Sequence, residues 1–482
     1  MRTVIKMFMV LLGLAIVTLS GCSDSAPSGP VASLGPNTVT KYVSVGNSLT
    51  QGIQSNALYE SAQLYSFPYL IAQQLTKAGA SIGTFEQVYY TDPGTPDATG
   101  KASRMEIISL TGPVIGPRGL TPGQPKNTTL TRPFDNLGIA GIPLAGFMDE
   151  TGTYSGGATG QLVLRSQGGF PKSVYKHLLL LKPDLVTFWL GANDVLGFAT
   201  SGGVSPSSPT PSAIFGALYT QALDSLRKNL PNARIVVANI PDVRAIPFFT
   251  TVGPAVSARL SALGLSLSYQ KRGEQGIATG TTKLNEANPP MLTLVSSTYA
   301  TLLGTPTGRF YKDNRFPALP PGIDTTKPFG LDPRNPWPSA LILDPDEQAL
   351  VAQATNDFNA TINSVASAKG AAVVDFFSIF NKIKAEGYAI SGEIYTTAYV
   401  SGGLFSLDGV HPSSRGYAIV ANEILKVVNQ KFGMSIPFVD VSQVPGIPAP
   451  LSKLTAEKTI LPLIPAETFK SFEWMFRQSV EE

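Results

Sequence analysis

Four short, mainly apolar runs limit the folds that this chain can adopt. They cover residues 39–45, 185–190, 234–240 and 371–377, and each is only six or seven residues long. Runs of this length, rich in Val and Ile, are typical of strands that are buried on both faces of a parallel sheet. Because parallel strands need a long crossover between them, the intervening segments are expected to contain helices.

The segments between and after these runs carry helical signals. Asp344-Pro345-Asp346-Glu347 forms a capping box with proline at the first helical position. Similar helices are predicted over residues 66–79 and 414–432. Strands that alternate with helices predict an α/β fold in which helices cover both faces of a central parallel sheet. The helix that starts near Pro345 is expected to bury an apolar stripe of Leu350, Ala354, Phe358, Ile362 and Val365.

Two long segments do not follow this alternation. Residues 82–132 and 250–343 are rich in Gly, Pro and Thr, show only weak strand signals and exceed the usual loop length of about 2–6 residues. We therefore predict a single domain over residues 38–433 with two insertions. Residues 434–482 are expected to form a tail that packs back on this domain.

The first residues have the features of a secretory signal peptide. Arg2 and Lys6 precede an apolar run over residues 7–19, and no acidic residue occurs there. The run has 13 residues, fewer than the roughly 20 that a membrane-spanning helix needs. It ends at Leu19-Ser20-Gly21-Cys22, which resembles the bacterial lipobox. The resemblance implies that residues 1–21 are removed and that Cys22 becomes acylated.

Cys22 is the only cysteine of the chain, and an ordinary cleaved signal with an incidental cysteine is the alternative interpretation. A fully acylated cysteine would anchor the protein firmly, and membrane contact is expected through this lipid anchor alone. Ser23 follows Cys22, in place of the Asp that retains enteric lipoproteins in the inner membrane, so an outer-membrane location is expected. Residues 22–37, rich in Ser, Gly, Pro and Ala, predict a flexible tether.

The composition excludes several classes of protein. One Cys and two His exclude a disulfide framework, a zinc ribbon and a multi-histidine metal centre. A formal net charge of +3 with only 14% charged residues gives no indication of nucleic-acid binding. We therefore predict no cofactor, no metal ion and no nucleic-acid partner.

Polar side chains follow predicted strands at the points where the strands end. Ser48 comes just after the first strand and Asn193 after the second, while Asp408 and His411 directly precede the last helix. The carboxyl ends of parallel strands are where α/β enzymes place reactive groups. A serine becomes nucleophilic when a histidine that is held by a carboxylate accepts its proton. His411 fits this role, whereas His177 lies on a predicted helix and is expected to be a packed or surface residue.

Four short motifs resemble the four blocks of the SGNH (GDSL-type) hydrolase superfamily, in the order of that family. Each motif alone is a weak signal, and the indication comes from their order and from three of them standing at predicted strand ends. The resemblance implies a three-layer α/β/α sandwich of flavodoxin-like character. The motifs are Gly46-Asn47-Ser48-Leu49, Asn136–Gly141, Gly191–Asp194 and Asp408–His411.

The resemblance also implies roles for the polar residues. Ser48 would be the nucleophile, His411 the general base and then the general acid, and Asp408 the group that orients His411. The family most often has Asp before the serine, whereas this chain has Asn47. That departure puts the hydrogen bonding of the local turn in doubt, but not the proton transfer.

The implied oxyanion hole has three donors. They are the backbone N–H groups of Ser48 and Gly141 and the side-chain amide of Asn193. Gly138 is the alternative glycine, and Gly141 is favoured because it lies five residues after Asn136, as the family's block requires.

The function that the resemblance implies is serine-dependent carboxylester hydrolysis by a GDSL-like lipase or acylhydrolase. The substrate would be an ester of a lipid or of an acylated carbohydrate. Residues 240–243 and 246–249 are similar to a segment of the longer lipase-like members, which favours lipolytic or general carboxylester hydrolysis. Two alternatives stay open: a polysaccharide O-acetyl esterase, and a glycan-binding surface lipoprotein on an inactive hydrolase fold.

Overall fold

The computed structural model describes residues 31–109, 114–154, 158–204, 209–271, 278–446, 461–465 and 468. The predicted signal peptide, Cys22 and the first part of the predicted tether lie outside the described residues. No helix in the described part of the chain combines the length and the apolarity that a membrane span requires.

Five parallel strands form the central sheet, in the spatial order β2-β1-β3-β4-β5 that is typical of flavodoxin-like folds. This confirms the predicted fold class. The apolar pattern does not predict β2, because three residues are too few to show a period. The strands are β1 (Tyr42–Gly46), β2 (Asn136–Gly138), β3 (Leu185–Trp189), β4 (Arg234–Ala238) and β5 (Ala372–Val374).

Eight helices accompany this sheet and follow the strand ends in chain order. The helix predicted from the capping box begins at Pro345, and the one predicted at the end of the domain begins at Ser414, as expected. The helices are α1 (Ser48–Gln51), α2 (Phe67–Lys77), α3 (Val174–Leu181), α4 (Asn193–Thr200), α5 (Ser212–Asn229), α6 (Pro345–Ala368), α7 (Phe376–Glu386) and α8 (Ser414–Phe432).

Neighbouring residues of β3 show how the three layers are built, since successive side chains of a strand point to opposite faces. On one face Phe188 packs edge-on against Tyr219 of α5, with ring centroids 5.9 Å apart. On the other face Trp189 stacks on Phe376 of α7 at 4.4 Å and contacts Phe67 of α2 at 5.8 Å. Helices therefore cover both faces, and every residue of β3 is buried.

Two aspects of α6 show how pattern and structure compare. Phe358 and Ile362 are buried as predicted, but Leu350 is 42% exposed and Val351 is buried in its place. Leu350 lies about 100° of helix rotation away from the stripe that contains Val351 and Phe358. The apolar stripe of this helix therefore begins one residue later than predicted.

The first insertion consists of two antiparallel strand pairs and little other regular structure. Tyr89–Tyr90 pairs with Pro125–Lys126, and Met105–Ser109 pairs with Val114–Pro117. A short helix, Glu60–Gln63, precedes this insertion, and another, Ala158–Leu164, follows β2.

The second insertion contains more regular structure than its Gly, Pro and Thr content predicts. The helix Val252–Leu263 is the main difference: it buries Val252, Val256 and Leu260 at four-residue spacing and ends at Gly264 in a left-handed conformation. Gly253 and Pro254 lie in its first turn, where proline is tolerated, and their presence hides the helix in the sequence. The insertion also contains the short helices Ser297–Ala300 and Arg309–Asp313 and two strand pairs, Leu267–Gln270 with Thr279–Thr282 and Met291–Leu292 with Ile342–Leu343. The short helix Pro247–Thr250 lies at its start. Outside the insertion, Tyr388–Ile390 pairs with Glu393–Tyr395.

The last residues of the predicted tether are bound to the domain. Ser33 and Ser435 exchange two backbone hydrogen bonds, of 3.1 and 2.8 Å. The Asn37 side chain donates to the carbonyl of Phe432 at 2.8 Å. A free tether over the whole of residues 22–37 is therefore wrong for its last residues, because their backbone groups find partners at the end of α8.

The described part of the C-terminal tail also packs on the domain. Val439 exchanges two hydrogen bonds with the side chain of Asn422 on α8, at 2.7 and 2.9 Å. Farther along, the carbonyl of Leu463 accepts a 3.0 Å hydrogen bond from Ile115 of the first insertion, and Ile464 is fully buried.

Replacing Asp344 with Ala should lower the free energy of unfolding by about 1–2 kcal/mol. Asp344 Oδ1 accepts a hydrogen bond from the Glu347 N–H at 2.9 Å, and Glu347 Oε2 accepts one from the Asp344 N–H at 2.7 Å. Urea denaturation measures the change. Asp346→Ala, at an exposed acidic residue of the same turn, removes the same charge without a cap and should change stability by less than about 0.5 kcal/mol. Equal losses in both variants would assign the effect to charge rather than to the cap.

Candidate active site

The register of three adjacent strands brings the predicted motifs to one edge of the sheet. Gly46 at the end of β1 lies opposite Gly138 of β2 on one side and Trp189 of β3 on the other. Ser48 follows Gly46 by two residues, Gly141 follows Gly138 by three and Asn193 follows Trp189 by four. Residues of three separate motifs therefore lie at the same edge of the sheet.

Ser48, His411 and Asp408 form a continuous chain of hydrogen bonds. His411 Nε2 lies 2.8 Å from Ser48 Oγ, and His411 Nδ1 lies 3.0 Å from Asp408 Oδ2. An ionised carboxylate can only accept, so Nδ1 carries the proton and Nε2 is free to accept from the serine hydroxyl. All three residues are buried, with 5%, 1% and 0% of their surface exposed.

Asp408 is buried as a charged group, and its surroundings satisfy both of its oxygens. Oδ1 accepts from the N–H groups of Val410 and His411 at 2.9 and 2.8 Å, and Oδ2 also accepts from the Asn56 N–H at 2.8 Å. Burial alone would raise the pKa of Asp408. The electrostatic interaction with the His411 ring and these hydrogen bonds outweigh burial and lower the pKa of Asp408, so the carboxylate stays ionised.

The first insertion supports the segment that binds Asp408. Ser55 and Asn56 both adopt left-handed backbone conformations, with φ of 48° and 67°. Ser103 Oγ donates to the Asn56 carbonyl at 2.9 Å, and the Met105 N–H donates to the Ser55 carbonyl at 2.8 Å. Sequence reasoning misses this support, because Ser55 and Asn56 carry no motif and their partners lie about 50 residues away.

The other side of the Asp408–His411 loop is held by the segment that resembles longer lipase-like members. The Phe248 N–H donates to the Gly409 carbonyl at 3.0 Å. Gly409 has a φ of +72°, and a Cβ atom there would lie 2.9 Å from Leu294 Cδ2 and 3.1 Å from Phe248 N. Only glycine suits this position, because a side chain would be strained and would collide with the supporting segment.

Asn47, the departure from the family's usual Asp, makes the local turn bond that was in doubt. Its side-chain oxygen accepts a hydrogen bond from the Leu49 N–H at 3.0 Å and caps α1. An amide oxygen accepts this bond as a carboxylate would, without adding a buried negative charge next to Ser48.

The loop after β2 leaves one backbone N–H group unused. From Gly138 to Leu144, the N–H of Gly138 donates to Asn136 Oδ1, and that of Ala140 donates to Gln51 Oε1, both at 3.0 Å. The remaining donors of this segment, Ile139, Ile142 and Leu144, also have acceptors, and Pro143 has no N–H. Within the described residues the Gly141 N–H has no acceptor, whereas that of the alternative, Gly138, is occupied.

Asn193 and Asp194 hold the same loop from the opposite side. Asn193 Nδ2 donates to the Ile142 carbonyl at 3.0 Å, which leaves its second hydrogen for another acceptor. Asp194 Oδ2 accepts from the Leu144 N–H, and Oδ1 accepts from Thr210 Oγ1, both at 2.9 Å. Burial raises the pKa of Asp194 to about 6, despite these two hydrogen bonds.

His177 was expected to be either a packed or a surface residue, and the structure shows a packed one. It is fully buried on α3, and its Nε2 lies 2.8 Å from the Pro171 carbonyl. Burial lowers the pKa of His177. Its partners do not include Ser48 or Asp408. Among the described residues no group of three or more His, Cys, Asp or Glu side chains is arranged to hold a metal ion.

The comparison with protein families agrees with the motifs. Residues 42–424 match the model of the GDSL-like Lipase/Acylhydrolase family. The chain therefore belongs to the GDSL-like lipase/acylhydrolase family, and its five-stranded parallel sheet is that of an α/β SGNH hydrolase.

Two solved structures are similar at low identity. A chain described as a GDSL-like lipase from Parabacteroides merdae is 13% identical with a TM-score of 0.32, and the match covers 83% of this chain and 99% of that one. An extracellular lipase from Streptomyces rimosus is 16% identical with a TM-score of 0.31, covering 81% of this chain and 99% of the other. No curated protein matches the sequence.

Asp194→Asn should change how stability depends on pH. Because the pKa of Asp194 is raised from 3.8 to about 6 in the folded protein, the folded state prefers the protonated carboxyl. The stability that this preference provides is present below about pH 4 and is lost as the pH rises through about 6. Asn cannot ionise, so raising the pH from 4 to 7.5 should favour Asp194→Asn over the wild type by about 2–3 kcal/mol.

Urea denaturation of both proteins at several pH values measures this difference, and equal denaturant slopes would show that the same states are compared. Parallel stability curves for the two proteins across this pH range would contradict the assignment.

Proposed function

We propose that the protein is a serine-dependent carboxylester hydrolase with Ser48 as its nucleophile. The hydrogen-bond chain from Ser48 through His411 to the buried Asp408 carries this proposal. A buried serine, histidine and carboxylate in this order have the geometry that nucleophilic acyl transfer needs. Membership of the lipase/acylhydrolase family supports the ester as the bond that is cleaved.

The proposed first step forms an acyl-enzyme. As Ser48 Oγ attacks the ester carbonyl carbon, its proton moves to His411 Nε2, 2.8 Å away. The carbonyl oxygen takes the electron pair of the C=O π bond. Collapse of this tetrahedral intermediate expels the alcohol, which receives the proton from His411. Water then repeats the sequence on the acyl-enzyme and releases the acid.

Asp408 holds His411 in the orientation that both steps require. It accepts from Nδ1, so Nε2 faces Ser48, and it stabilises the imidazolium that forms when the proton moves. Its lowered pKa keeps it charged while it does so.

Three donors are proposed to stabilise the oxyanion. They are the N–H groups of Ser48 and Gly141 and the second hydrogen of Asn193 Nδ2. Within the described residues neither backbone N–H has an acceptor. Gly141 is preferred to Gly138, whose N–H is bound to Asn136. Donors of this kind act on charge that appears only during the reaction, and each is worth about 10²–10³ in rate.

We infer that the natural substrate is a lipid or other simple carboxylic ester. The family description, lipase/acylhydrolase, supports this class. The segment that resembles longer lipase-like members contacts the loop of His411 through the bond from Phe248 to Gly409, so it lies beside the proposed site.

Ser48→Ala should abolish turnover of p-nitrophenyl esters by the purified full-length protein in mild detergent, because it removes the attacking oxygen. Ser261→Ala, at an exposed serine of the helix Val252–Leu263, should retain full activity. A fluorophosphonate should label Ser48 in the wild type and not in Ser48→Ala.

A series of esters from acetyl to long acyl chains then tests the substrate class. A strict preference for acetyl would favour the O-acetyl esterase over the lipase. No turnover and no labelling of a folded wild type would contradict the hydrolase and favour a glycan-binding protein on an inactive fold.

We further propose that Cys22 is lipid-modified and that it anchors the protein in the bacterial outer membrane. The proposal rests on the lipobox-like Leu19-Ser20-Gly21-Cys22 and on Ser23 after it. Cells fed an alkyne fatty acid should yield labelled wild-type protein in the outer-membrane fraction. Cys22→Ser should lose both the label and the membrane association but keep esterase activity, since none of the proposed catalytic or oxyanion residues precedes Ser48 in the chain. A labelled Cys22→Ser protein would contradict the proposal.

A further inference from the structure

Gln51, the last residue of α1, links the helix of Ser48 to the loop of Gly141. Gln51 is buried, with 4% of its surface exposed. Its Oε1 accepts a 3.0 Å hydrogen bond from the N–H of Ala140, the residue directly before Gly141. Gln51 belongs to none of the four motifs.

The direction of the Gly141 N–H depends on the peptide between Ala140 and Gly141. Gly141 has a φ of +76°, and with no Cβ it can adopt many backbone conformations. A bond at Ala140 restrains the residue whose rotation aims that peptide. The Ile142 N–H donates to the Ile139 carbonyl at 3.3 Å and closes a turn around Ala140 and Gly141, and Asn193 binds the Ile142 carbonyl on the far side.

The backbone of Gln51 is itself fixed against β2. A Cβ atom on Gly138 would lie only 2.3 Å from Gln51 N, so the end of α1 presses directly on this strand. Asn136 Nδ2 donates to the Thr50 carbonyl at 2.8 Å and fastens the same contact. The Gln51 side chain therefore extends from a fixed backbone to the turn that contains Gly141, and its bond to Ala140 adds to the bond that closes this turn.

The Gln51 side chain makes one favourable and one unfavourable contribution to stability. Its oxygen accepts the bond from Ala140, whereas Nε2 is buried and has no hydrogen-bond partner among the described residues. An unpartnered buried amide costs free energy that a leucine of similar size would not. The feature that a leucine could not supply is therefore the bond to Ala140.

We propose that Gln51 is a positioning residue that aims the Gly141 N–H at the oxyanion. The proposal rests on the serine-hydrolase function proposed above. It predicts that Gln51 matters for the transition state and not for binding of the intact ester.

Gln51→Leu tests this role in the full-length protein with a p-nitrophenyl ester. We expect kcat to fall about 10- to 100-fold, less than for loss of a complete oxyanion donor, while KM and the melting temperature change little. Removal of the unpartnered amide offsets the loss of the bond to Ala140. Gln348→Leu is the matched control. Gln348 lies on α6 and is equally buried, and its Nε2 donates to the carbonyls of Pro289 and Leu343 at 2.9 and 3.1 Å. It should keep the wild-type kcat.

A trifluoromethyl ketone provides a second measurement. Ser48 Oγ adds to its carbonyl carbon, the serine proton passes to His411, and the carbonyl oxygen becomes an oxyanion. Its inhibition constant should rise in Gln51→Leu by the same factor by which kcat/KM falls, while that of the carboxylic acid product stays unchanged.

A Gln51→Leu protein with the wild-type kcat and the wild-type affinity for the ketone would overturn the proposal. An equal rise in the inhibition constants of the ketone and of the carboxylic acid would also overturn it. A wild type that lacks turnover would instead contradict the hydrolase function itself, so the two failures are distinguishable.

Discussion

The parallel register of β1 with β2 and β3 is the constraint on which the rest of the site depends. Because Gly46, Gly138 and Trp189 lie side by side, the chain leaves three strands at one edge within a few residues. A slip of one residue in this register would move Ser48 away from Gly141 and Asn193 and would turn the buried side chains of β1 to the other face. The aromatic contacts of Phe188 and Trp189 on opposite faces resist such a slip.

The site also requires a charged carboxylate that is shielded from solvent. Asp408 is fully buried, which would normally disfavour its ionised form. The cost is offset by donors from three parts of the chain: the N–H groups of its own loop, the His411 ring and the Asn56 N–H. The first insertion holds the Asn56 segment through Ser103 and Met105, and the segment over residues 246–249 holds the Asp408 loop through the bond from Phe248 to Gly409. They therefore act on the proposed mechanism through the support of Asp408, whatever their part in substrate selection.

The loop from Gly138 to Leu144 differs from the surroundings of Asp408, because one of its polar groups has no partner within the described residues. The N–H groups of Ile139, Ala140 and Leu144 donate to β1, α1 and α4, and within the described part of the chain the Gly141 N–H has no acceptor. Gly141 is partly exposed, so this N–H can bond to water in the free protein and to a substrate oxygen in a complex. Gln51, whose oxygen accepts from this loop, also has an amide nitrogen without a partner among the described residues.

The sequence by itself determined the α/β alternation, four of the five strands, the capped helix α6 and the motifs of Ser48, Asn193, Asp408 and His411. These features are local, since apolar period, capping and short motifs are legible within a few neighbouring residues. The tertiary structure alone decided the strand β2, the helix Val252–Leu263, the docking of Ser33 on Ser435 and the hydrogen-bond partners of Asn56 and Gln51. Each of these depends on contacts between residues far apart in the chain, such as Gln51 with Ala140 or Asn56 with Asp408. Such contacts exist only once the sheet has set the register, because a single sequence carries no local signal for the partner that a buried polar group will meet.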